Sequence, residues 1–213
     1  MDPINEKTTP SDAANPAGEM THPFGLFALR QIAFTAMFAA LFVALSSVVL
    51  PIGPVPVTLQ TFAVMIIGGL LGARFGFASI LLVVALTAAG APLLHGKGGI
   101  SYVLGPTGGY IFAFPVAALL IGWAADRLLP RRNRTRPNFV RLLLLLAAML
   151  AFGLAVPYLF GVPWLAYRNG MTLTEAIRVG CLPFVAGDTA KAVVATAVVA
   201  ALRPFIPKLR PDR

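Results

Sequence analysis

Pro183-Phe-Val-Ala-Gly-Asp-Thr-Ala-Lys-Ala192 places two charged side chains inside the last long apolar run of the sequence, which continues to about Leu202. Asp188 and Lys191 are the only two charged residues well inside a hydrophobic segment, and their spacing puts them on one helix face. A charge in the bilayer core is costly, so it usually faces protein or a water-filled cavity and serves a function. The structural alternative is an internal salt bridge that only steadies the helix. The pair is therefore the candidate functional centre.

Composition identifies a polytopic membrane protein. The chain has 213 residues, of which 58% are hydrophobic and 12% charged, and its mean hydropathy is +0.82. Soluble domains are about one-quarter charged. The single cysteine, Cys181, excludes an intrachain disulfide. The two histidines, His22 and His95, lie in different segments and make a poor set of metal ligands.

We expect an all-α fold, since the length suits one domain of about six spanning helices at roughly 20 residues each. Residues 1–24 are polar and proline-containing, which predicts a disordered cytoplasmic tail. Residues 25–205 form the predicted six-helix membrane domain, and residues 206–213 a basic cytoplasmic tail. The predicted spans run from about Leu29 to Leu50, Thr58 or Thr61 to Ala73, Phe77 to Leu94, Gly109 to Ala125, Arg141 to Phe160, and Pro183 to Leu202.

The segments between the predicted spans carry strong local signals. Residues 51–60 contain three prolines and a glycine, which stop a helix and predict a structured, uncharged loop. Residues 95–109 form a glycine-rich loop that allows backbone to approach a ligand closely. It lacks the spacing and the Ser or Thr of a nucleotide-binding loop. Between Gly161 and Leu182 we expect a long connection, in which Thr172-Leu-Thr-Glu175 starts a short helix that reaches about Val179.

The basic residues set the predicted orientation. A six-span topology puts both termini and the loops after spans two and four on one side. That side holds thirteen of the 17 basic residues, including six arginines in and beside the connector after span four, and Arg203, Lys208, Arg210 and Arg213 of the tail. Both termini are therefore predicted to be cytoplasmic. The net charge of +9 reflects this topology rather than nucleic-acid binding. Asp188 would lie roughly 8 Å inside the outer end of its span, where a pocket suits capture of a solute from outside.

A stripe of small residues follows the first span. Ala36, Ala40 and Ala44 recur at four-residue spacing, which makes a flat surface that another helix can approach closely. The alternative is an ordinary alanine-rich helix that packs inside its own bundle.

Three motifs, in their order and spacing, resemble the BioY family, the biotin-binding membrane subunits of energy-coupling factor (ECF) transporters. They are Val-Pro-Val-Thr-Leu-Gln-Thr at 55–61, Gly-Pro-Thr-Gly-Gly-Tyr at 105–110, and Pro-Phe-Val-Ala-Gly-Asp-Thr-Ala-Lys at 183–191. The resemblance covers about residues 29–203. The usual form of the last motif is Pro-Gly-Asp, and here Ala186 takes the place of the proline.

The resemblance implies a six-helix subunit of the inner membrane that captures biotin from outside and delivers it inward. It also implies partnership with a membrane-spanning coupling protein and a pair of cytoplasmic ATPases. The chain itself would be no enzyme and would need no cofactor, since its partners use the ATP. The family docks on the coupling protein through small residues of the first helix, which match Ala36 and Ala40. Membrane lipid would surround the subunit, nucleic acid would have no part, and homo-oligomerisation is left open.

The chemistry of biotin suits the candidate residues. Asp188 can accept a hydrogen bond from a ureido N–H, and Lys191 can donate one to the ureido carbonyl, both charge-assisted. Because the pair is internally neutral, an apolar pocket tolerates it when the ligand and neighbours satisfy it. Lys97 on the glycine-rich loop is the candidate partner of the ligand carboxylate, and a solvated loop lysine is its alternative.

Four other polar residues divide between the pocket and the membrane surface. Tyr110 and Gln60 are predicted to supply further hydrogen bonds or a lid contact. Their alternatives are an interfacial aromatic residue and a loop-capping residue. Trp164 and Tyr158 are expected to anchor the interfacial belt rather than to contact the ligand.

Other functions remain open at this stage. One is a solitary, gradient-driven transporter with Asp188 as a proton site, and another is a binding subunit for a different small vitamin. An intramembrane enzyme would use Asp188 and Lys191 as acid and base, but the sequence offers no nucleophile–base pair, metal set or phosphate loop. A structural assembly subunit would need only the small-residue stripe.

Overall fold

The computed structural model describes residues 23–50, 57–129 and 137–207. Nearly all of the predicted amino-terminal tail, most of the proline-rich loop, much of the basic connector, and Lys208, Arg210 and Arg213 lie outside the described residues.

Helices dominate the described chain, as predicted. They are α1 (Pro23–Ser46), α2 (Gln60–Leu71), α3 (Ala73–Ala88), α4 (Ile100–Val103), α5 (Gly108–Leu128), α6 (Phe139–Ala148), α7 (Val156–Asn169), α8 (Leu173–Gly180) and α9 (Leu182–Leu202). A π-helical segment, Met149–Ala155, joins α6 to α7, and a 3₁₀ turn, Arg203–Phe205, follows α9. The all-α prediction did not include one antiparallel ladder of two-residue strands, β1 (Val49–Leu50) and β2 (Val57–Thr58), in which Val49 pairs with Thr58.

The helices are those of a membrane protein. Among the residues that the structure describes, four stretches are long and apolar enough to cross a bilayer: Phe27–Ser46, Gly108–Leu128, Phe139–Asn169 and Leu182–Phe205. The other two predicted spans, α2 and α3, are apolar helices of 12 and 16 residues. At 1.5 Å per residue, α2 extends about 18 Å, which is less than the roughly 30 Å hydrocarbon core. The count of six spans therefore stays a prediction.

The predicted connection that starts at Gly161 is wrong in its first part, because α7, the end of the fifth predicted span, continues as a helix to Asn169. Proline usually ends a helix, but both Pro157 and Pro163 lie within α7. Pro157 comes directly after the π-helical segment, where the wider i→i+5 turn already departs from the α-helical hydrogen-bond ladder. The helix ends at Gly170, whose φ of +63° terminates it in the left-handed conformation.

The predicted capping box is confirmed. The hydroxyl of Thr172 accepts from the backbone N–H of Glu175 at 3.3 Å, and the Glu175 carboxylate accepts from the N–H of Thr172 at 2.8 Å. These bonds satisfy two of the four orphan donors at the start of α8 and lower the pKa of Glu175. Helix α8 then reaches Gly180, one residue beyond the predicted end.

Helices α2, α5 and α9 run side by side in the same direction. Residue 61 near the start of α2 contacts residue 188 near the start of α9, and Gly69 near the end of α2 contacts Arg203 just beyond α9. Gly68 permits close packing on α5, since a Cβ there would lie 2.7 Å from the carbonyl oxygen of Ala118. The bundle therefore has one end formed by the starts of these helices and one formed by their ends.

Arg203 closes the end formed by the carboxyl termini of the helices. It was expected in a solvated tail, but it is only 1% exposed. Its guanidinium donates to the carbonyl of Gly69, to the carbonyl of Leu129 at 2.9 Å, and to the carboxylate of Asp126. Asp126 also accepts from the backbone N–H of Ala73 at 3.1 Å. We call these five residues the Arg203 cluster; it joins α2, α3, α5 and α9.

Candidate ligand-binding site

A cavity of about 600 Å³, including the space at its mouth, lies at the opposite end, among the starts of α2, α5 and α9. Parts of its wall are apolar, formed by Ile111, Phe114, Leu154, Pro157 and Phe184. One group of polar residues that line it is called here the polar wall: Thr58, Gln60, Thr61, Tyr158, Asp188 and Lys191.

Asp188 is the centre of the polar wall and is 4% exposed. Its Oδ1 accepts from the Thr61 hydroxyl and from the Lys191 ammonium, both at 2.8 Å. Its Oδ2 accepts from the Tyr158 hydroxyl at 2.6 Å. A carboxylate has about four lone-pair positions, so these three donors leave Oδ2 able to accept one more hydrogen bond from the cavity.

Lys191 is held as firmly as Asp188. Its ammonium donates to the carbonyl oxygen of Thr58 at 2.7 Å, to Asp188 at 2.8 Å, and more weakly to the Thr61 hydroxyl at 3.4 Å. An ammonium has three protons, so the one in the long bond is the one that a ligand can take over. The pair is the salt bridge expected from the sequence, but it also lines a cavity, which the purely structural alternative does not require.

Gln60 brings an unpaired hydrogen-bond donor to the polar wall. It begins α2, its backbone N–H donates to the Thr58 hydroxyl at 3.2 Å, and the residue is 5% exposed. Its side-chain Nε2 is buried without a hydrogen-bond partner in the described structure. A buried amide nitrogen left unpaired costs about 1–3 kcal/mol, so this atom has a physical reason to meet a ligand.

Tyr110 lines the cavity, and its hydroxyl already has a hydrogen-bond partner in the protein. It donates to the carbonyl oxygen of Gly180 at 2.8 Å and so fixes α5 to the end of α8. The interfacial alternative for Tyr110 is wrong, because the residue is 8% exposed. The Tyr110 ring can occupy this position because residue 161 is glycine; a Cβ at Gly161 would lie 2.3 Å from the ring.

The π-helical segment lies against the cavity. Gly153 and Leu154 from this segment, and Pro157 just after it, all belong to the lining. π-Helical turns occur frequently at functional sites, where the extra residue re-aims neighbouring side chains. Here the turn precedes Tyr158, which reaches Asp188.

Lys97 lies apart from this wall. It is exposed and is not among the residues that line the cavity. Its neighbour His95 does line the cavity, and its Nδ1 lies 2.7 Å from the Tyr102 hydroxyl. Burial and the charge of Lys97 lower the pKa of His95. The positive charge of Lys97 therefore reaches His95, although Lys97 itself does not line the cavity.

Sequence reasoning missed Thr58, Thr61, Tyr158 and His95. Thr58 and Thr61 both lie inside the motif at 55–61 that was singled out, so their placement near the site could have been inferred. The expectation that Tyr158 is a belt anchor is wrong, because its hydroxyl reaches Asp188. Trp164 is not among the residues that line the cavity, and its indole N–H donates to the carbonyl of Gly105 at 2.8 Å; its role in the interfacial belt stays a prediction.

The small-residue stripe faces away from the described bundle. Ala36, Ala40 and Ala44 are all exposed, whereas the neighbouring Phe38 and Phe42 face the core. The alternative that the stripe packs inside its own bundle is therefore wrong for the described part of the chain.

Comparison with known proteins identifies the family. The model of the BioY family matches residues 16–208. A probable biotin transporter BioY of Pyrococcus horikoshii is 41% identical over 175 residues, which cover 82% of this chain and 95% of that protein. The biotin transporter BioY of Rhizobium etli is 37% identical over 170 residues, which cover 78% and 89%.

A solved structure agrees with the sequence relatives. It is the 2.1 Å crystal structure of the S-component for biotin from an ECF-type ABC transporter. Its TM-score against this chain is 0.73 at 30% identity, and the match covers 83% of this chain and 92% of that one. The resemblance read from the three motifs is thereby confirmed, and the chain belongs to the BioY family.

Proposed function

We propose that this protein is the biotin-binding subunit of an ECF-type importer, and that biotin binds in the cavity beside Asp188 and Lys191. The observation that carries the proposal is a hydrogen-bonded ion pair, largely buried, that lines a cavity whose remaining wall is mostly apolar. A mixed wall of this kind suits a ligand with a polar head and apolar bulk. Biotin has both, and proteins of this family and fold are described as biotin transporters and as a biotin S-component.

The ureido ring of biotin is assigned to the polar wall. One ring N–H donates to the remaining lone pair of Asp188 Oδ2. The ureido carbonyl accepts from the unpaired Nε2 of Gln60 and from the Lys191 proton that is otherwise in a 3.4 Å bond. In this arrangement the buried Nε2 of Gln60 gains a hydrogen-bond acceptor, and the weak bond from Lys191 to Thr61 is replaced by a bond to the ligand. Both changes favour binding. The thioether ring and chain contact the apolar wall, and Tyr110 contributes its ring.

Six spans with both termini in the cytoplasm suit this function in the inner membrane. The Arg203 cluster is at the end of the bundle away from the cavity. Arg74 at the start of α3 and the ends of α5 and α9 lie at that end, and the basic connector and the basic tail follow α5 and α9 in the sequence. Since basic segments are retained in the cytoplasm, the cavity then opens toward the outside, where it meets the solute.

Docking on a membrane-spanning coupling protein, itself joined to two ATPases, is assigned to Ala36 and Ala40. Their exposure on α1 is what supports this assignment, since small residues let another helix approach closely. The chain contributes no ATP site to this scheme. Membrane lipid contacts the remaining apolar surface.

The first experiment is calorimetric titration of biotin into the purified, detergent-solubilised protein. Asp188→Asn and Lys191→Met are compared with Thr189→Ala, a neighbouring change on α9. Within the described part of the chain, the Thr189 hydroxyl donates to the carbonyl of Val185 in its own helix, and Thr189 does not line the cavity. We expect tight binding by the wild type and Thr189→Ala, and binding weakened about 10- to 100-fold or more in the two charge variants. Failure of the folded wild type to bind biotin contradicts the proposal.

Energisation needs a separate experiment. Uptake of labelled biotin is measured in cells with and without the coupling protein and ATPases, for the wild type and for Ala40→Arg. We expect Ala40→Arg to bind biotin normally in detergent but to lose ATP-dependent uptake. Undiminished uptake without the ATPases would favour the solitary, gradient-driven transporter.

A further inference from the structure

We propose that His95 is a specificity residue of this site, whose Nε2–H donates a hydrogen bond to the carboxylate of the bound ligand. This inference rests on the proposed function and adds the partner of the anionic end of biotin, which the polar wall does not supply.

The first observation is an unpaired atom. His95 lines the cavity, and its Nε2 is buried without a hydrogen-bond partner in the described part of the chain. Buried polar atoms are nearly always paired, and an orphan in a native structure calls for an explanation. An atom of this kind in a cavity wall is available to a ligand.

The second observation is the conformation of the loop. His95 has a φ of 57°, and among the described residues it is the one non-glycine residue with positive φ. Such backbone conformations are uncommon and cluster at functional sites. The loop is fixed on both sides of the ring, because Lys97 N–H donates to Leu94 at 2.9 Å and Gly99 N–H donates to Thr87 at 2.7 Å. The imidazole is thus positioned before a ligand arrives.

The third observation sets the tautomer. Burial raises the pKa of Tyr102 to about 12, while a hydrogen bond donated by Thr107 opposes this rise. Tyr102 therefore keeps its proton, and its hydroxyl lies 2.7 Å from Nδ1 of His95, to which it can donate. A neutral imidazole that accepts at Nδ1 carries its proton on Nε2. The atom that faces the cavity is then a donor, as a carboxylate requires.

The fourth observation is electrostatic. The polar wall carries no net charge, because Asp188 and Lys191 form an ion pair, whereas the positive charge of Lys97 is close enough to His95 to lower its pKa. An anionic ligand group is therefore more stable near His95 than near Asp188. Lys97, which was predicted to bind the carboxylate directly, contributes this favourable potential from its exposed position beside the cavity.

The test separates the two ring nitrogens. His95→Asn keeps a polar atom near the position of Nδ1 and tolerates positive φ, but it has no atom at the position of Nε2. His95→Gln places an amide nitrogen near Nε2. Each variant and the wild type are titrated with biotin and with an analogue whose carboxylate is replaced by a methyl group, and thermal unfolding of each variant is recorded.

We expect His95→Asn to bind biotin about 10- to 100-fold more weakly and to bind the methyl analogue as the wild type does. His95→Gln should recover part of the loss for biotin alone. An equal loss for both ligands, or no loss for either, overturns the proposal and leaves His95 a structural residue. Should His95→Asn fail to fold, His95→Gln with a selective change for biotin supports the proposal, and an unselective one overturns it. A wild type that binds neither ligand overturns the proposed function as well, so the two failures are distinguishable.

Discussion

The hydroxyl of Tyr158 donates to Oδ2 of Asp188 across 2.6 Å, from a helix that was expected to have ended at about residue 160. This bond fixes the carboxylate oxygen that has a lone pair left for the ligand. It also joins α7 to α9 at the cavity. The orientation of Asp188 therefore depends on α7 as well as on its own helix.

Tyr158→Phe tests this dependence. We expect biotin to bind about tenfold more weakly, because the carboxylate loses a donor of the charge-assisted kind that contributes about 1.5–3 kcal/mol. Tyr167→Phe is the matched control, since Tyr167 lies on the same helix and is 81% exposed. The measurement is calorimetric titration, and equal affinity in both variants would show that Tyr158 does not orient Asp188.

Asp188 and Lys191 should be coupled in stability. Each single variant, Asp188→Asn or Lys191→Met, leaves one member of a buried pair without its partner. We expect the double variant to be less destabilised than the sum of the single variants, by about 0.5–3 kcal/mol. Thermal or denaturant unfolding of the four proteins without ligand measures this coupling. Strict additivity would mean that Thr58, Thr61 and Tyr158 satisfy each charge independently.

Replacing glycine by alanine should have opposite effects on stability at Gly161 and Gly187. Gly161→Ala puts a Cβ 2.3–2.4 Å from the Tyr110 ring and should displace it from Gly180, lowering both stability and affinity. Gly187 is exposed on α9 with nothing within 4 Å of its Cβ position. Gly187→Ala should therefore stabilise the helix by up to about 1 kcal/mol. Unfolding midpoints and biotin titrations of the two variants decide this, and a harmless Gly161→Ala would contradict the assigned packing.

Some of this architecture could be predicted from the sequence because its signals are local. The capping box at Thr172 and the intramembrane pair Asp188–Lys191 are patterns of three or four residues, and both were recognised. The continuation of α7 past Gly161 could not be predicted in the same way, since prolines usually end helices and a π-helical turn has no simple sequence signature.

The contacts that complete the site were harder to predict, because they join distant parts of the chain. Tyr158 lies 30 residues from Asp188 in sequence, and Arg203 lies 77 residues from Asp126. A tyrosine near a helix end and an arginine in a basic tail both have a common surface interpretation. Arg203 is buried because α2, α5 and α9 run in the same direction, which brings the ends of α2 and α5 to its side chain. This arrangement could not be inferred from the sequence near Arg203.

The charge of Lys97 should be detectable at His95. Burial and Lys97 both lower the pKa of His95 from 6.5 in the folded protein. The unfolded chain then binds more protons as the pH falls below about 6.5, so this group contributes stability at higher pH that is lost on acidification. Lys97→Met removes the smaller cause, so the pKa of His95 should rise and the loss of stability in acid should shrink. Histidine NMR titration of both proteins checks this, and an unchanged pKa would exclude an effect of Lys97.

Arg203→Met should destabilise the protein without changing its ligand affinity. The substitution leaves the carbonyls of Gly69 and Leu129 without their donor, and each buried acceptor left unpaired costs about 1–3 kcal/mol. The carboxylate of Asp126, whose side chain is 44% exposed, stays hydrated. Arg178→Met is the control, because Arg178 is exposed on α8 and such changes stay within about 0.5 kcal/mol. Denaturant unfolding gives the first quantity and biotin titration of the folded protein gives the second. Since no residue of the Arg203 cluster lines the cavity, a loss of affinity in a fully folded Arg203→Met would reveal coupling between the two ends of the bundle, which the described contacts do not predict.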